Sequence, residues 1–303
     1  MRLVFFSYSC KIVSIKKEVI YMIQDIEPLH LYNEWKKDAR PKASDYVMHF
    51  VGRDLLCTID DNCLEFPERC QFADGDEAFT YLFELDGRGY YLLKDTTKRE
   101  LPGYSYRDIA LFRSERPREM AFAAVSAWHL FCWYRDSRFC GRCGTKAEHD
   151  SNERMMHCPK CGNMIFPRIM PSVIVAVTNG DKIVLTQYNR PGAQRTALVA
   201  GFNEFGETIE QTVHREVQEE LGLKVKDLVY YKSQPWGISG GGLMMGFWCR
   251  VDGDDTIKLD RVELADGAWV SRKELQETYA DAGIALTGEM IRIFSEGKEP
   301  YDQ

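Results

Sequence analysis

Residues 201–223 have the sequence GFNEFGETIEQTVHREVQEELGL, which predicts a loop, a helix and a second loop. Thr208 is followed three residues later by Gln211, the spacing of a capping box at a helix N-terminus. Glu207 precedes them at the positive end of the helix dipole. Gly222 provides a C-terminal stop, because glycine readily takes the left-handed conformation that satisfies the last carbonyls. The stretch therefore predicts a helix between Thr208 and Gly222.

The predicted helix carries two different stripes of side chains. The apolar stripe recurs at four-residue spacing and should face a core; its members are Val213, Val217 and Leu221. The acidic stripe places carboxylates at i, i+3 and i+4, so that they converge on one patch; its members are Glu216, Glu219 and Glu220. Such carboxylates repel one another unless a hard divalent cation such as Mg²⁺ or Mn²⁺ binds to their oxygens. A solvated acidic surface is the alternative interpretation.

The complete pattern of the stretch decides between these interpretations. Nine residues match the Nudix box, Gly-x5-Glu-x7-Arg-Glu-(apolar)-x-Glu-Glu-x-Gly-(apolar), at its fixed spacing: Gly201, Glu207, Arg215, Glu216, Val217, Glu219, Glu220, Gly222 and Leu223. A match at nine defined positions rarely occurs by chance, so the chain resembles the Nudix hydrolases. Structural roles in the box are expected for Gly201, Glu207, Arg215 and Gly222, with Arg215 pairing with Glu207 to hold the loop.

Length and composition limit the other possibilities. A chain of 303 residues predicts about two domains, each able to bury its own core. The net charge of −7 argues against nucleic-acid binding driven by overall charge, although it does not exclude a local basic groove. No apolar run reaches the ~18 residues that a membrane helix needs, so no membrane association is expected. Ten cysteines, several at metal-type spacing, indicate a reducing cytoplasm.

The beginning of the chain has its own interpretation. Residues 1–21 are predicted to be a non-native start or a disordered extension. If the source is bacterial, residues 16–20 can be encoded by a ribosome-binding sequence placed just ahead of Met22. Translation is therefore expected to begin at Met22.

The predicted fold class is α+β, in three parts. Residues 22–127 should form an N-terminal α+β domain, residues 128–168 a linker helix and a zinc ribbon, and residues 169–303 a Nudix α/β/α sandwich with a mixed sheet. Strands are expected at 46–50, 81–85, 90–93, 172–177, 182–186, 197–200, 228–232 and 243–251, and helices at 120–131 and 273–280. Residues 86–89 and 179–181 should be hairpin turns.

Two cysteine pairs lie between the first and last parts. Cys140 and Cys143, and likewise Cys158 and Cys161, are separated by two residues, with 14 residues between the pairs. This is the spacing of a four-thiolate zinc ribbon. A closed site of four cysteines leaves no open position for water, so the zinc is expected to be structural. A redox role is the alternative, but no thioredoxin-like βαβ pattern surrounds the pairs.

A segment downstream of the box narrows the resemblance. Residues 233–239, SQPWGIS, resemble the SQPWPFPxS marker of the NADH pyrophosphatase branch of the Nudix hydrolases. Box, ribbon and marker together cover roughly residues 128–290. Here Gly237 and Ile238 replace the Pro-Phe-Pro-x portion, two residues fewer than in the family. Because glycine enlarges the unbound ensemble, this departure predicts weaker binding of NAD(H) and a broader preference. The alternative is that Gly237 forms a tight turn that restores the same pocket with two fewer residues. An ordinary proline-containing turn is the alternative interpretation of this segment.

The resemblance to this branch implies roles for particular residues. The catalytic group would be Glu216, Glu219 and Glu220. A catalytic Mg²⁺ or Mn²⁺ would be held by the carbonyl of Ala200 and by Glu216, Glu220 and Glu263. Substrate contacts would come from Glu153, Phe166, Gln234, Pro235, Trp236, Gly237, Ile238, Ser239 and Ala285. The family usually has tyrosine in place of Phe166, and its members are dimers whose pocket is built partly by the partner subunit.

The reaction that the resemblance implies is metal-dependent hydrolysis of the pyrophosphate in NAD(H) to nicotinamide mononucleotide and AMP. The same bond joins NAD to the 5′ end of NAD-capped RNA, so removal of the cap is a second expected activity. One alternative is a Nudix hydrolase for another nucleoside diphosphate derivative, which the altered marker favours. The other is a non-catalytic zinc-ribbon protein that binds nucleic acid or regulates, which the intact box disfavours.

Overall fold

The computed structural model describes residues 22–60, 63–113, 117–189, 197–278 and 285–302, and the predicted non-native start lies outside them. The strands are β1 (Leu31–Tyr32), β2 (Tyr46–Met48), β3 (Phe50–Val51), β4 (Asp54–Asp60), β5 (Cys63–Glu65), β6 (Phe79–Leu85), β7 (Arg88–Leu93), β8 (Ser105–Asp108), β9 (Glu148–His149), β10 (Met156–His157), β11 (Met164–Ile165), β12 (Met170–Asn179), β13 (Lys182–Tyr188), β14 (Val199–Phe202), β15 (Val225–Trp236), β16 (Gly242–Val251) and β17 (Leu264–Ser271). The helices are α1 (Arg118–Asp136), α2 (Ile209–Leu221), α3 (Arg272–Thr278) and α4 (Leu286–Ser295). None of these helices is both long and apolar enough to cross a membrane.

The N-terminal part is built from two small sheets. One has the order β1-β6-β7-β2, and the other has β3-β4-β5 with β8 paired to β4. The predicted β6–β7 hairpin is confirmed, since Leu85 pairs with Arg88. Its turn residues Asp86 and Gly87 have φ angles of 48° and 82°. Two positive φ angles are typical of the type I′ turn, whose twist matches that of a hairpin.

Helix α1 joins this part to the ribbon. Its alanines let it pack closely against the N-terminal core, where Phe50 stacks on Phe131 with ring centroids 4.8 Å apart. Near its C-terminal end Trp133 packs against Met156 of the ribbon. Helix α1 includes all of the helix predicted at residues 120–131. It also continues across the domain boundary that was predicted between residues 127 and 128.

The C-terminal part is a six-stranded mixed sheet of order β15-β16-β12-β13-β17, with β14 paired to β12. It is mixed because β12 and β16 run parallel while the other pairs are antiparallel. Alternate residues of β12 point to opposite faces: Val173, Val175 and Val177 pack with α2. Ile174 and Ala176 pack on the other face with α4. Burial on both faces explains the continuous apolar run of this strand and confirms the predicted α/β/α sandwich.

Candidate active site

The capping residues of α2 fix where the helix begins and ends, and burial of its apolar stripe decides which way its acidic stripe faces. Thr208 Oγ1 accepts a hydrogen bond from the Gln211 amide at 3.3 Å, and Gln211 Oε1 accepts one from the Thr208 amide at 2.7 Å. The helix ends at Gly222, whose φ is 68°. Between these ends the apolar stripe is buried against β12. Because Glu216 and Glu220 lie beside that stripe, their carboxylates are also drawn inward.

Glu220 is the most unusual carboxylate of the site. It is only 2% exposed, and both side-chain oxygens lack a hydrogen-bond partner among the described residues. Burial, and then the charges of Glu216 and Glu263, raise the pKa of Glu220 to about 8. Burial also raises the pKa of Glu216, although Arg215 opposes the change. Buried carboxylates without partners are costly, and oxygen ligands of this kind fit a hard divalent cation such as Mg²⁺ or Mn²⁺.

The other two predicted ligands of a divalent cation lie beside the helix. Glu263 precedes β17 and is close enough for its charge to act on both buried glutamates. Its backbone carbonyl accepts a hydrogen bond from the Asn189 amide at 2.8 Å. The Ala200 carbonyl on β14 accepts one from the Tyr188 hydroxyl at 3.2 Å. Tyr188, the last residue of β13, and Asn189, which follows it, therefore contact the backbone of both predicted ligands that are not on α2.

Two residues of this site are missed by sequence analysis. Asp260 also raises the pKa of Glu220, and Tyr188 contacts the Ala200 carbonyl. Neither belongs to the box: the sheet brings Tyr188 to β14, and the loop before β17 brings Asp260 to α2, where its amide donates to the Glu220 carbonyl at 3.0 Å. The feature of the sequence that could have identified Asp260 is its position three residues before Glu263.

Arg215 binds the loop that precedes α2. Its Nε and Nη2 donate to the two carboxylate oxygens of Glu207 at 2.7 and 3.0 Å, and Nη2 also donates to the Phe202 carbonyl at 2.9 Å. This pairing lowers the pKa of Glu207 to about 2. Nη1 donates to Glu216 at 2.7 Å and to the exposed Glu219 at 3.0 Å. One guanidinium thus fixes the loop and the position of Glu216.

Gly201 makes room for the carboxylate of Glu216. A β-carbon at residue 201 would collide with the Glu216 carboxyl group. Gly201 pairs with Val173 within the sheet, so the backbone cannot easily move away. A side chain at residue 201 would therefore displace the Glu216 carboxyl group from its place against β14.

The four ribbon cysteines form a compact cluster. All four sulfur atoms lie within 4.8 Å of one another, and they are the only metal-type group of this kind among the described residues. The Cys140 and Cys161 sulfurs are 3.6 Å apart, and those of Cys143 and Cys158 are 3.4 Å apart. Ligands on a tetrahedral zinc with Zn–S bonds of about 2.3 Å lie roughly 3.8 Å apart. The cluster therefore fits zinc.

The marker segment, residues 233–239, runs from the end of β15 in the sheet to the N-terminal core. Gln234 is fully buried, and Ile238 packs in the N-terminal core. Trp236 is partly buried, packs against both cores, and lies under the guanidinium of Arg113 at 5.1 Å. A β-carbon on Gly237 would be 2.6 Å from the Val125 carbonyl of α1. Pro235 and Ser239 are exposed.

The remaining predicted substrate residues lie in three places. Phe166 is 50% exposed and lines a cavity of about 340 Å³ together with Arg168 and Gly240. Glu153 is exposed on a ribbon loop that the N-terminal part holds through Arg154, whose Nη2 donates to the Asn33 carbonyl at 3.1 Å. Ala285 is the N-cap residue of α4. Gly240, the residue after the marker segment, therefore lines the same cavity as the end of the ribbon.

Comparison with known proteins agrees with this geometry. The model of the NUDIX domain matches residues 168–287, and that of the NADH pyrophosphatase zinc ribbon domain matches residues 135–166. A Pseudomonas aeruginosa protein named NAD-capped RNA hydrolase NudC is 38% identical over 202 residues, which cover 66% of this chain and 71% of the relative. A Vibrio atlanticus protein of the same name is 39% identical over 251 residues, 82% of this chain and 90% of that one.

This chain belongs to the NADH pyrophosphatase family of Nudix hydrolases. Among solved structures, a Nudix hydrolase from Nitrosomonas europaea matches 52% of this chain and 91% of its own, at 19% identity and a TM-score of 0.42. Membership of the family makes this chain a Nudix hydrolase with a zinc ribbon.

We expect the ribbon of this Nudix hydrolase to depend on its metal. Cys158→Ser should lower the zinc content by about one ion per chain and destabilise the ribbon, because the free energy of binding zinc is there part of the free energy of folding. Metal analysis and thermal melts of parent and variant measure both effects. Substitution of the exposed Cys70, which lies outside the ribbon, is the control. A parent protein without zinc would contradict the assignment.

The raised pKa of Glu220 predicts how stability depends on pH when no divalent cation is bound. The carboxyl has an ordinary pKa of 4.5 in the unfolded chain and about 8 in the folded protein. Because the folded state holds the proton more tightly, the free energy of unfolding falls as the pH rises from about 4.5 to about 8. Glu220→Gln lacks this titration, so its melting temperature relative to the parent's should increase over the same interval. An equal difference at about pH 5 and about pH 8.5 would contradict the burial of this carboxyl.

Proposed function

We propose that this Nudix hydrolase cleaves the pyrophosphate bond of NAD(H) with water, giving nicotinamide mononucleotide and AMP. The observation that carries the proposal is the buried carboxylate of Glu220, which has no partner among the described residues, on the helix of an intact Nudix box. A buried carboxylate without a partner destabilises the folded protein, and groups perturbed in this way are typical of active sites. The ribbon and the marker segment favour a nicotinamide dinucleotide as the substrate.

The residues of the site have different roles in the proposed reaction. Glu216, Glu220, Glu263 and the Ala200 carbonyl would hold the catalytic cation. When bound, Mg²⁺ or Mn²⁺ supplies positive charge to the diphosphate and lowers the pKa of an attacking water. Glu216 or Glu220 orients or deprotonates that water. Arg215 supports Glu216 without contacting substrate, because its guanidinium already donates to the loop.

Removal of the NAD cap from RNA is the second activity that we propose. The chemistry is unchanged, since the cap contains the same pyrophosphate bond. Both relatives described above carry the name NAD-capped RNA hydrolase. A hydrolase for another nucleoside diphosphate derivative remains the competing proposal, and the shortened marker segment is the observation that favours it.

We further propose a homodimer that works in the cytoplasm. Four large apolar side chains on and beside the ribbon are exposed, and such patches mark interaction surfaces: Phe139, Met164, Phe166 and Ile169. The resemblance to the family implies that a second subunit completes the pocket. A monomeric mass in solution would contradict the dimer.

A four-thiolate zinc site needs reduced cysteines, which supports the proposed location in the cytoplasm.

Trp236 tests whether the pocket is specific for a dinucleotide. Base stacking on an aromatic ring is typically worth about 1–3 kcal/mol. We expect Trp236→Ala to lower kcat/KM for NADH relative to ADP-ribose by about tenfold. Trp236→Phe is the matched control, because it keeps a ring against Arg113. An unchanged ratio of kcat/KM in the alanine variant would remove Trp236 from the substrate contacts.

A further inference from the structure

The side chain of Gln234 is directed into the protein. It is fully buried, and both ends of its carboxamide are used. Nε2 donates to Gln24 Oε1 at 3.1 Å, and Oε1 accepts a hydrogen bond from the Leu286 amide at 2.8 Å. A substrate in the pocket could reach this carboxamide only if the side chain turned outward and gave up these bonds, which would leave buried polar groups unpaired.

The bond to Leu286 completes the start of α4. The first amides of a helix lack partners within the helix and are usually capped by a polar side chain at the N-cap. The N-cap residue of α4 is Ala285, which offers no such side chain, and the first amide is instead bound by Gln234 from β15, 52 positions away in the sequence. Gln234 therefore fixes the backbone next to Ala285, one of the predicted substrate contacts.

The bond to Gln24 links the same residue to the N-terminal part. Residues 22–24, here called the N-terminal strap, cross between the two domains: Met22 is buried in the core around α4, and Ile23 is buried in the N-terminal core. Gln24 follows directly and meets Gln234. The strap, the marker segment and the start of α4 thus converge on one buried carboxamide.

Helix α1 holds the other end of the marker segment. Gly237 approaches the Val125 carbonyl so closely that no side chain fits between them. One turn further along α1, His129 Nε2 donates to the Arg168 carbonyl at 2.7 Å, next to Gly241. Each end of the segment is therefore placed by an element of the N-terminal part, the strap at one end and α1 at the other.

We propose that Gln234 is a positioning residue, through which the N-terminal strap and the start of α4 hold the marker segment and Ala285 in the arrangement that binds substrate. The inference rests on the proposed function, since it assigns a role within that substrate site. It gives the N-terminal domain a task that is separate from the chemistry: it sets affinity for the substrate, and the box sets the rate.

The test uses Gln24, which is not itself a predicted substrate contact and acts on the site only through Gln234. Gln24→Met and Gln234→Met keep side-chain length and remove the hydrogen bond between them. We expect Gln24→Met to raise KM for NADH at least about fivefold with kcat within about twofold, the pattern for loss of uniform binding. In the double variant the effects should fall well short of additive, because the two residues act through one contact. Gln71→Met, which removes carboxamide bonds confined to the N-terminal part, is the matched control and should leave KM unchanged.

A second readout does not depend on the substrate. Hydrogen exchange of the Leu286 amide should become about tenfold faster in Gln24→Met, since the acceptor on Gln234 is no longer held in place. If Gln234→Met does not fold, the Gln24 variant carries the test alone. Unchanged KM together with unchanged exchange at Leu286 in Gln24→Met would overturn the proposal. If the parent does not hydrolyse NADH, the proposed function fails; the exchange rate, and KM for the derivative that it does hydrolyse, then decide the role of Gln234.

Discussion

Glu220→Gln is expected to lower kcat for NADH at least ~100-fold, the scale for loss of a general base or a metal ligand. The amide keeps the shape of the side chain and removes its charge. The parent carboxylate is buried, has no hydrogen-bond partner among the described residues, and lies close to four other acidic groups. Its negative charge therefore destabilises the folded state, and it is useful to the enzyme only when it binds a cation or a reacting water. Steady-state kinetics at saturating Mg²⁺ measure the change.

The control for this substitution is Glu210→Gln on the same helix. Glu210 is exposed near the start of α2 and lies outside the carboxylate cluster, so its loss should leave kcat nearly unchanged. Circular dichroism should show that both variants remain folded. Activity of Glu220→Gln within about threefold of the parent would mean that the box is not the catalytic centre.

Gly201→Ala should have an effect of similar size without removing any charged group. The added methyl group collides with the Glu216 carboxyl, and pairing with Val173 keeps the backbone in place. Glu216 must therefore move, which also disturbs its bond to Arg215. Because a displacement of 1 Å at a reacting centre can cost roughly 100-fold in rate, we expect a loss of that order in kcat.

Gly141→Ala is the matched control for this second substitution. A β-carbon at residue 141 would meet nothing within 4 Å, so Gly141→Ala replaces glycine by alanine without a collision and at a distance from the box carboxylates. If Gly201→Ala retained kcat within about threefold, Glu216 could withdraw from β14 at little cost, and its packing against Gly201 would not matter for catalysis.

Local patterns were sufficient to predict several elements. The capping residues Thr208 and Gln211 with the stop at Gly222 predict α2 to within a residue at each end. The Asp86-Gly87 turn predicts the β6–β7 hairpin. These elements could be predicted because the residues that specify each of them are neighbours in the sequence.

The elements that were missed depend on distant partners. Helix α4 has ten residues and no capping residue of its own, and the group that binds its first amide lies on β15. Strand β17 is mostly exposed or half-buried, so its sequence lacks the apolar run that identifies β12. Sequence periodicity gives little indication of β17, whereas α4 does carry a helical signal, because its buried residues Leu286, Met290 and Ile293 recur at helical spacing.

The residues of the active site divide in the same way, into those predicted from local sequence and those placed by distant parts of the chain. The box carboxylates follow from helical spacing, whereas the hydroxyl of Tyr188 reaches the Ala200 carbonyl only because two strands meet. Gly237 is a further case. The sequence suggests a flexible segment, but the structure gives a different reason for glycine there, since α1 leaves no space for a side chain. Contacts between domains decide such positions, and they cannot be predicted from local sequence.

Turnover of a substrate panel tests the central claim most directly. NADH, NAD⁺, NAD-capped RNA, ADP-ribose and dinucleoside polyphosphates are compared at equal Mg²⁺, with chromatography of the products. We expect NAD(H) or the capped RNA to have a kcat/KM at least about tenfold above the other compounds, with AMP and nicotinamide mononucleotide as the products from NAD(H). A kcat/KM about tenfold higher for a compound without nicotinamide would contradict the account.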